Sequence, residues 1–389
     1  MLPQKEEQSM NVVIAIDSFK GSLTSYDAGL AVSEGIKSVY ENAVTSIRPL
    51  ADGGEGTVSA IASAMGGKIC KVKVSGPLGA PVVAEYGVIS EERTAIIEMA
   101  SAAGITLIDA KKRNPLITTT YGVGELIAHA IKENGCRKFI VGIGGSATND
   151  GGVGMLEALG FSFLDESGAK IPRGAIGLSK LARIECDNAL DELSQCEFYV
   201  ACDVTNPLCG DAGCSAVYGP QKGASAEMIK DMDLWLRNYA RLSEASVGNS
   251  FADTPGAGAA GGLGFAFISF LKGKLESGIE LVMRTTHLES IIKDCDIVVT
   301  GEGKLDGQTS MGKAPIGVAA LAKKYGKPVI AFSGCVGKDA ELCNQHGIDA
   351  FFPILRTACT LEEAMDVEIA YRNLKSTAEQ AFRLIKRFC

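Results

Sequence analysis

The residues able to do chemistry are gathered in short glycine-rich stretches. The longest is Gly142-Ile143-Gly144-Gly145-Ser146-Ala147-Thr148-Asn149-Asp150-Gly151-Gly152. An apolar run, Phe139-Ile140-Val141, precedes it, and helix-compatible residues, Val153 to Leu159, follow. A strand that ends in glycines and restarts as a helix exposes backbone N–H groups, which bind anions. Glycines also let the backbone approach a ligand without a Cβ clash. Ser146 and Thr148 add hydroxyls, and Asp150 adds a carboxylate suited to a divalent cation beside phosphates. The plainer alternative is a turn between a strand and a helix.

Five further stretches have the same style. Asp17-Ser18-Phe19-Lys20-Gly21-Ser22 follows the apolar run Val12–Ile16, and Lys20 is a site candidate. Ala51-Asp52-Gly53-Gly54-Glu55-Gly56-Thr57 sets two carboxylates before a helix, either to hold a cation or to cap that helix. Asp203 closes the strand Phe198–Cys202, a usual address for a catalytic carboxylate, and Tyr218 to Gly223 places Lys222 among glycines. Thr300-Gly301-Glu302-Gly303 follows a strand over 295–300.

The elements that must position these residues alternate between strand and helix. Unalternated apolar runs such as Val12–Ile16 suit parallel strands covered on both faces. Thr24 with Asp27 forms a helix-start pattern, and Ala28, Val32, Ile36 and Val39 mark a helix face. From Lys68 the pattern becomes antiparallel, with strands 68–74 and 82–88 around Gly76-Pro77-Leu78-Gly79. Helix 120–134 stops at Gly135. Ser225 to Val247 is amphipathic and carries the only tryptophan, Trp235, as packing. The small residues of 255–264 permit close approach to a ligand or another helix. Strand-helix alternation resumes near 290, and one helix over 361–388 closes the chain. The expected fold is α/β with two α/β domains. Residues 1–67 and 290–389 form a discontinuous domain with a parallel doubly wound sheet. Residues 68–289 are inserted in it, with a mixed sheet and the glycine-rich loop.

Composition narrows the class. A chain of 389 residues with 46% hydrophobic and 22% charged residues reads as a globular enzyme. A net charge of −8 without a long basic run excludes nucleic acid as the expected partner. No apolar stretch reaches transmembrane length, so no membrane association is expected. The 12 cysteines include no Cys-x-x-Cys and only three histidines accompany them, which argues for reduced thiols, not zinc or disulfides. Met1 to Ser9 lacks an apolar leader, and a cytoplasmic location is expected.

Two known motifs nearly match. Gly307-x4-Gly312-Lys313 has P-loop spacing, but Ala314 replaces the hydroxyl that would bind magnesium. Gly142-x-Gly144-x-x-Ala147, with Asp165 at ribose distance, fits a dinucleotide fingerprint. It keeps a nicotinamide-dependent oxidoreductase open, and a non-catalytic nucleotide-binding protein is a further alternative.

Taken together, in this order and over nearly the whole chain, these stretches resemble the bacterial glycerate kinase family of the type that makes 2-phosphoglycerate. Pro255 to Gly262 belongs to the same resemblance. Ile16 departs from it, standing where proline is expected before Asp17-Ser18. The resemblance implies phosphorylation of D-glycerate by ATP with Mg2+. It implies site residues of three kinds. Asp203, Lys20 and Asp52 would be catalytic, with Asp203 accepting the substrate proton. Gly144, Gly145, Ser146, Thr148 and Lys222 would bind the cofactor, and Asp150 and Glu302 the metal. Lys222, Lys313 or Arg48 would meet the glycerate carboxylate. Small-molecule substrate, no nucleic acid and no membrane are the partner expectations, and a homo-oligomer is left open.

Overall fold

A computed structural model describes residues 9–51, 56–249 and 251–388. The expected site residue Asp52, with Gly53, Gly54 and Glu55, lies outside the described residues. In chain order the strands are β1 Asn11–Ile14, β2 Val44–Ile47, β3 Lys68–Ser75, β4 Pro81–Ile89, β5 Thr94–Glu98, β6 Lys138–Gly142, β7 Ser162–Leu164, β8 Arg183–Glu185, β9 Glu197–Ala201, β10 Lys274–Glu276, β11 Ile297–Leu305, β12 Val329–Val336 and β13 Ala350–Pro353.

The chain divides into two compact units. The first comprises Met1–Asp52, Ser63–Met65 and Ile279–Cys389, and the second comprises Gly53–Ala62 and Gly66–Gly278. The sequence reading draws its lines at 67/68 and 289/290.

The first unit holds a five-stranded parallel sheet in the order β13-β12-β11-β1-β2. Val12, Ile14 and Val299 are buried, and so are their neighbours Val13, Val298 and Ala331. Adjacent strand residues point to opposite faces, so both faces are covered, as the unalternated runs require. On one face Ala28, Val32 and Ile36 of helix Ser25–Lys37 join Leu374, Ala378 and Phe382 of helix Val367–Phe388 in one core. Thr24 starts the first of these helices: its hydroxyl accepts from the Asp27 amide at 3.1 Å. The expected single C-terminal helix is two, Leu361–Met365 and Val367–Phe388. Asp366 separates them, and its side chain accepts the Ile369 amide.

The second correction in this unit concerns Glu302. The strand expected over 295–300 continues to Leu305, because Glu302 pairs with Ser333 and Lys304 with Cys335 on β12. Glu302 therefore stands on the carboxyl end of a central strand, not in a loop.

The second unit has a six-stranded mixed sheet, β10-β9-β6-β5-β4-β3. Strands β10, β9, β6 and β5 run parallel, and β4 and β3 add antiparallel. The β3–β4 pair closes through the expected Gly76–Gly79 turn, Ser75 facing Pro81. Strands β7, β8 and β10 are too short to show in the sequence pattern. Trp235 packs against the core of this unit, as expected.

Candidate active site

In the first unit the chain runs from β1 to β2 on one side of the sheet and reaches β11, β12 and β13 on the other. Open α/β sheets bind ligands beyond the carboxyl ends of the strands at such a reversal. A cavity of about 430 Å³ lies there. Ser18, Phe19 and Lys20 line it from beyond the end of β1, Glu302, Gly303 and Lys304 from β11 with Asp306 just after it, and Gly334 and Cys335 from β12. Lys313 enters from the start of helix Ala314–Lys324. Two of the expected site residues, Lys20 and Glu302, thus share one cavity.

The Glu302 carboxyl is pushed up by burial, while the Thr309 hydroxyl and the Lys313 and Lys20 ammoniums pull it down. Thr309 donates to Glu302 Oε1 at 2.5 Å. Asp306, in the same cavity, lies 3.0 Å from Lys304. The stretch with P-loop spacing does not form a phosphate cradle. It turns through the short helix Thr309–Met311, and the Asp306 carboxylate accepts the Gln308 amide.

In the second unit the glycine-rich loop leaves β6 as expected, and helix Val153–Ala158 follows it. Gly144 and Gly145 form its exposed tip. The remainder is held from beneath by buried polar groups. Asp150 is 1% exposed. Its Oδ2 accepts from the Thr120 amide (2.8 Å), the Thr120 hydroxyl (2.9 Å) and the Gly154 amide (3.3 Å), and its Oδ1 from the Gly152 amide (3.1 Å). A carboxylate has about four acceptor sites. Burial raises the Asp150 carboxyl, and these donors oppose that. The sequence reading makes Asp150 a metal ligand. A carboxylate closed from solvent and serving four donors instead fixes the loop.

Lys222, expected to bind the cofactor, is also buried. It is 2% exposed, and its ammonium donates to Ser146 Oγ at 2.8 Å and to the Thr148 carbonyl at 2.7 Å. Burial lowers this amine to about 8, with Cys214 and Asp150 opposing. The geometry makes Lys222 a pin of the loop. Thr148 is fully buried and its hydroxyl has no partner among the described residues. Of the five residues expected to bind cofactor, Gly144 and Gly145 alone are exposed.

The small-residue stretch packs against this loop. The Gly151 amide donates to the Gly261 carbonyl at 2.9 Å. A Cβ on Gly261 would lie 2.1 Å from the Thr148 carbonyl oxygen, and one on Gly262 would lie 2.8 Å from the Gly151 Cα. Backbone meets backbone, so neither position accepts a side chain.

Asp203 lies just beyond β9, exposed, and its Oδ1 accepts the Gly278 amide at 3.0 Å. Arg48, in the first unit, is half-buried and donates to its neighbour's carbonyl, Ile47, at 2.9 Å. Asp165 does not await a ribose. Its Oδ1 takes the Ser167 amide, the Ser167 hydroxyl and the Ala169 amide.

A parallel sheet with a charged cavity at its reversal, joined to a unit bearing an anchored glycine loop, defines the class of two-unit α/β phosphotransferases. Comparison with known proteins gives the family. The model of the Glycerate kinase family matches residues 12–386. A Bacillus subtilis protein named glycerate kinase is 47% identical over 377 residues, 97% of this chain and 98% of its own. An Escherichia coli protein named glycerate 2-kinase is 46% identical over 373 residues, 95% and 98% of the two chains. A crystal structure of a provisionally named glycerate kinase 2 from Salmonella typhimurium matches with TM-score 0.90 and 46% identity over 98% of this chain and 99% of that one. The chain belongs to the glycerate kinase family and is a phosphotransferase. The oxidoreductase and non-catalytic alternatives fall with that finding.

Some groups that shape the site went unnoticed in the sequence. Thr120 holds Asp150 from thirty residues upstream, and no local pattern signals such a pairing. Leu361 stands inside the capping pattern Thr360-x-x-Glu363 at the start of its helix, and its 75% exposure shows only in the structure.

Proposed function

We propose that this protein transfers the terminal phosphoryl group of ATP to the 2-hydroxyl of D-glycerate, giving 2-phosphoglycerate. The observation that carries the reading is the match, over 95% of this chain, to the Escherichia coli protein named glycerate 2-kinase. The Lys20–Glu302 cavity at the sheet reversal supports it.

Phosphoryl transfer needs positioning and charge neutralisation more than covalent help. Lys20 meets phosphate oxygens, and the exposed Gly144–Gly145 backbone offers amides to an anion. Mg2+ is bound by one or two carboxylates together with phosphate oxygens. Glu302, with Asp306 lining the same cavity, fits that requirement as a hard oxygen donor. When bound, the ion neutralises charge that develops on the transferred group. Asp203 accepts the proton of the substrate hydroxyl. Asp52 is kept as a second carboxylate for orienting that hydroxyl. Lys313 meets the glycerate carboxylate.

An ADP-release assay against a panel of small hydroxy acids, with product position read by phosphorus NMR, tests the reading. D-glycerate should be the preferred acceptor and carry the new signal at the 2-position. ADP release with another acid in preference, or a 3-phosphorylated product, would overturn it.

A further inference from the structure

The cavity of the first unit has a mixed lining. It combines the charged Lys20, Lys313 and Glu302 with the apolar Leu355, Leu361 and Met365. D-glycerate bears an oxygen on each of its three carbons and has no apolar surface to offer the latter three. A volume of about 430 Å³ also belongs to sites that enclose a drug-sized ligand, with an apolar lining and a few polar anchors. A purine nucleotide has a matching mixture, a flat apolar base at one end and phosphates at the other. A thioether such as that of Met365 makes favourable contact with an aromatic ring.

Gly21, with φ +81°, follows Lys20 directly, and a Cβ there would lie 2.2 Å from the Met365 Cε. The turn that carries the lysine thus leaves room for the methionine beside it.

We propose that the first unit holds the nucleoside of the phosphoryl donor. Its base lies against Leu355, Leu361 and Met365, and its phosphates point toward Lys20. This rests on the ATP-dependent reading above and adds to it the location of the base.

Photolabelling with ATP carrying an azide on the adenine ring, followed by peptide mass spectrometry, tests the location directly. The label should fall within 353–370 and be suppressed by unlabelled ATP. Suppressible label on any segment of 100–223 would overturn the proposal, as would no suppressible label. Kinetics give an independent arm. Leu355→Asp and Met365→Ala should each raise KM for ATP about tenfold and leave KM for D-glycerate within about twofold, since both remove apolar contact from the base alone. A rise in KM for D-glycerate instead, or no change in either, would count against it. A wild-type protein that takes the label on 353–370 yet releases no ADP with D-glycerate would refute the proposed reaction and keep the base subsite.

Discussion

Lys222 makes the most quantitative prediction. Its amine stands at about 8 in the fold against an ordinary value of 10.5, chiefly because it is buried. The unfolded chain therefore binds more protons than the folded one between these two values, and stability must rise with pH across that window. Below about 8 both states carry the proton and the full burden of a buried charge is present. Integrating from pH 7.5 to pH 10 gives a gain of about 2 kcal/mol. Many other groups titrate over the same range, so the test is a difference between wild type and Lys222→Met. Trp235 is the only tryptophan and packs in the second unit. Its fluorescence during urea unfolding reports that unit alone. The wild type should gain about 2 kcal/mol on the variant between the two pH values. A constant difference, or one that moves the other way, would refute the assignment of Lys222 as a buried charged pin.

Glu157 gives the acid-side counterpart. It is 12% exposed and 3.9 Å from Arg173, yet burial outweighs that partner and raises it to about 7 from 4.5. Its contribution is fully present below about 4.5 and is lost as pH rises to 7. Glu157→Gln should therefore gain on wild type between pH 5 and pH 8, by no more than about 3 kcal/mol. Calorimetric melting at the two pH values checks this. Gly261→Ala should cost more than about 2 kcal/mol, because the new methyl meets a carbonyl and the residue has φ +69°. The Trp235 urea midpoint should fall accordingly. Asp203→Asn should lower kcat by about a hundredfold or more with KM for ATP nearly unchanged, as loss of a general base requires. Near-normal turnover would remove Asp203 from the chemistry. Glu302→Gln should raise the Mg2+ concentration for half-maximal rate about tenfold, and an unaltered titration would exclude it as a ligand.

The legible part of the fold was the part written in local patterns. Val12 to Ile16 reads as a doubly covered strand because no polar residue interrupts it, and it is one. Thr24 and Asp27 announce a helix start that forms. By contrast Gly301-Glu302-Gly303-Lys304 has a loop's composition. It is strand because β12 supplies backbone partners, which no local pattern encodes. The candidate site divides the same way. Lys20 and Glu302 stood out because each follows an apolar run read as a strand, and both line the cavity of the first unit. The burial of Asp150 and Lys222 was not legible, since it depends on Thr120 and on Ser146 folding against them. A carboxylate or ammonium among glycines looks the same in sequence whether it faces a ligand or supports the backbone beneath one.

The seam between Gly151 and Gly261 bears on how the protein is made. On the ribosome the residues of the glycine loop emerge long before residue 261 is synthesised. Until then the Gly151 amide lacks this acceptor, and the seam that closes the loop cannot form. The loop thus gains its last backbone partner late in translation, once that segment of the second unit has left the exit tunnel.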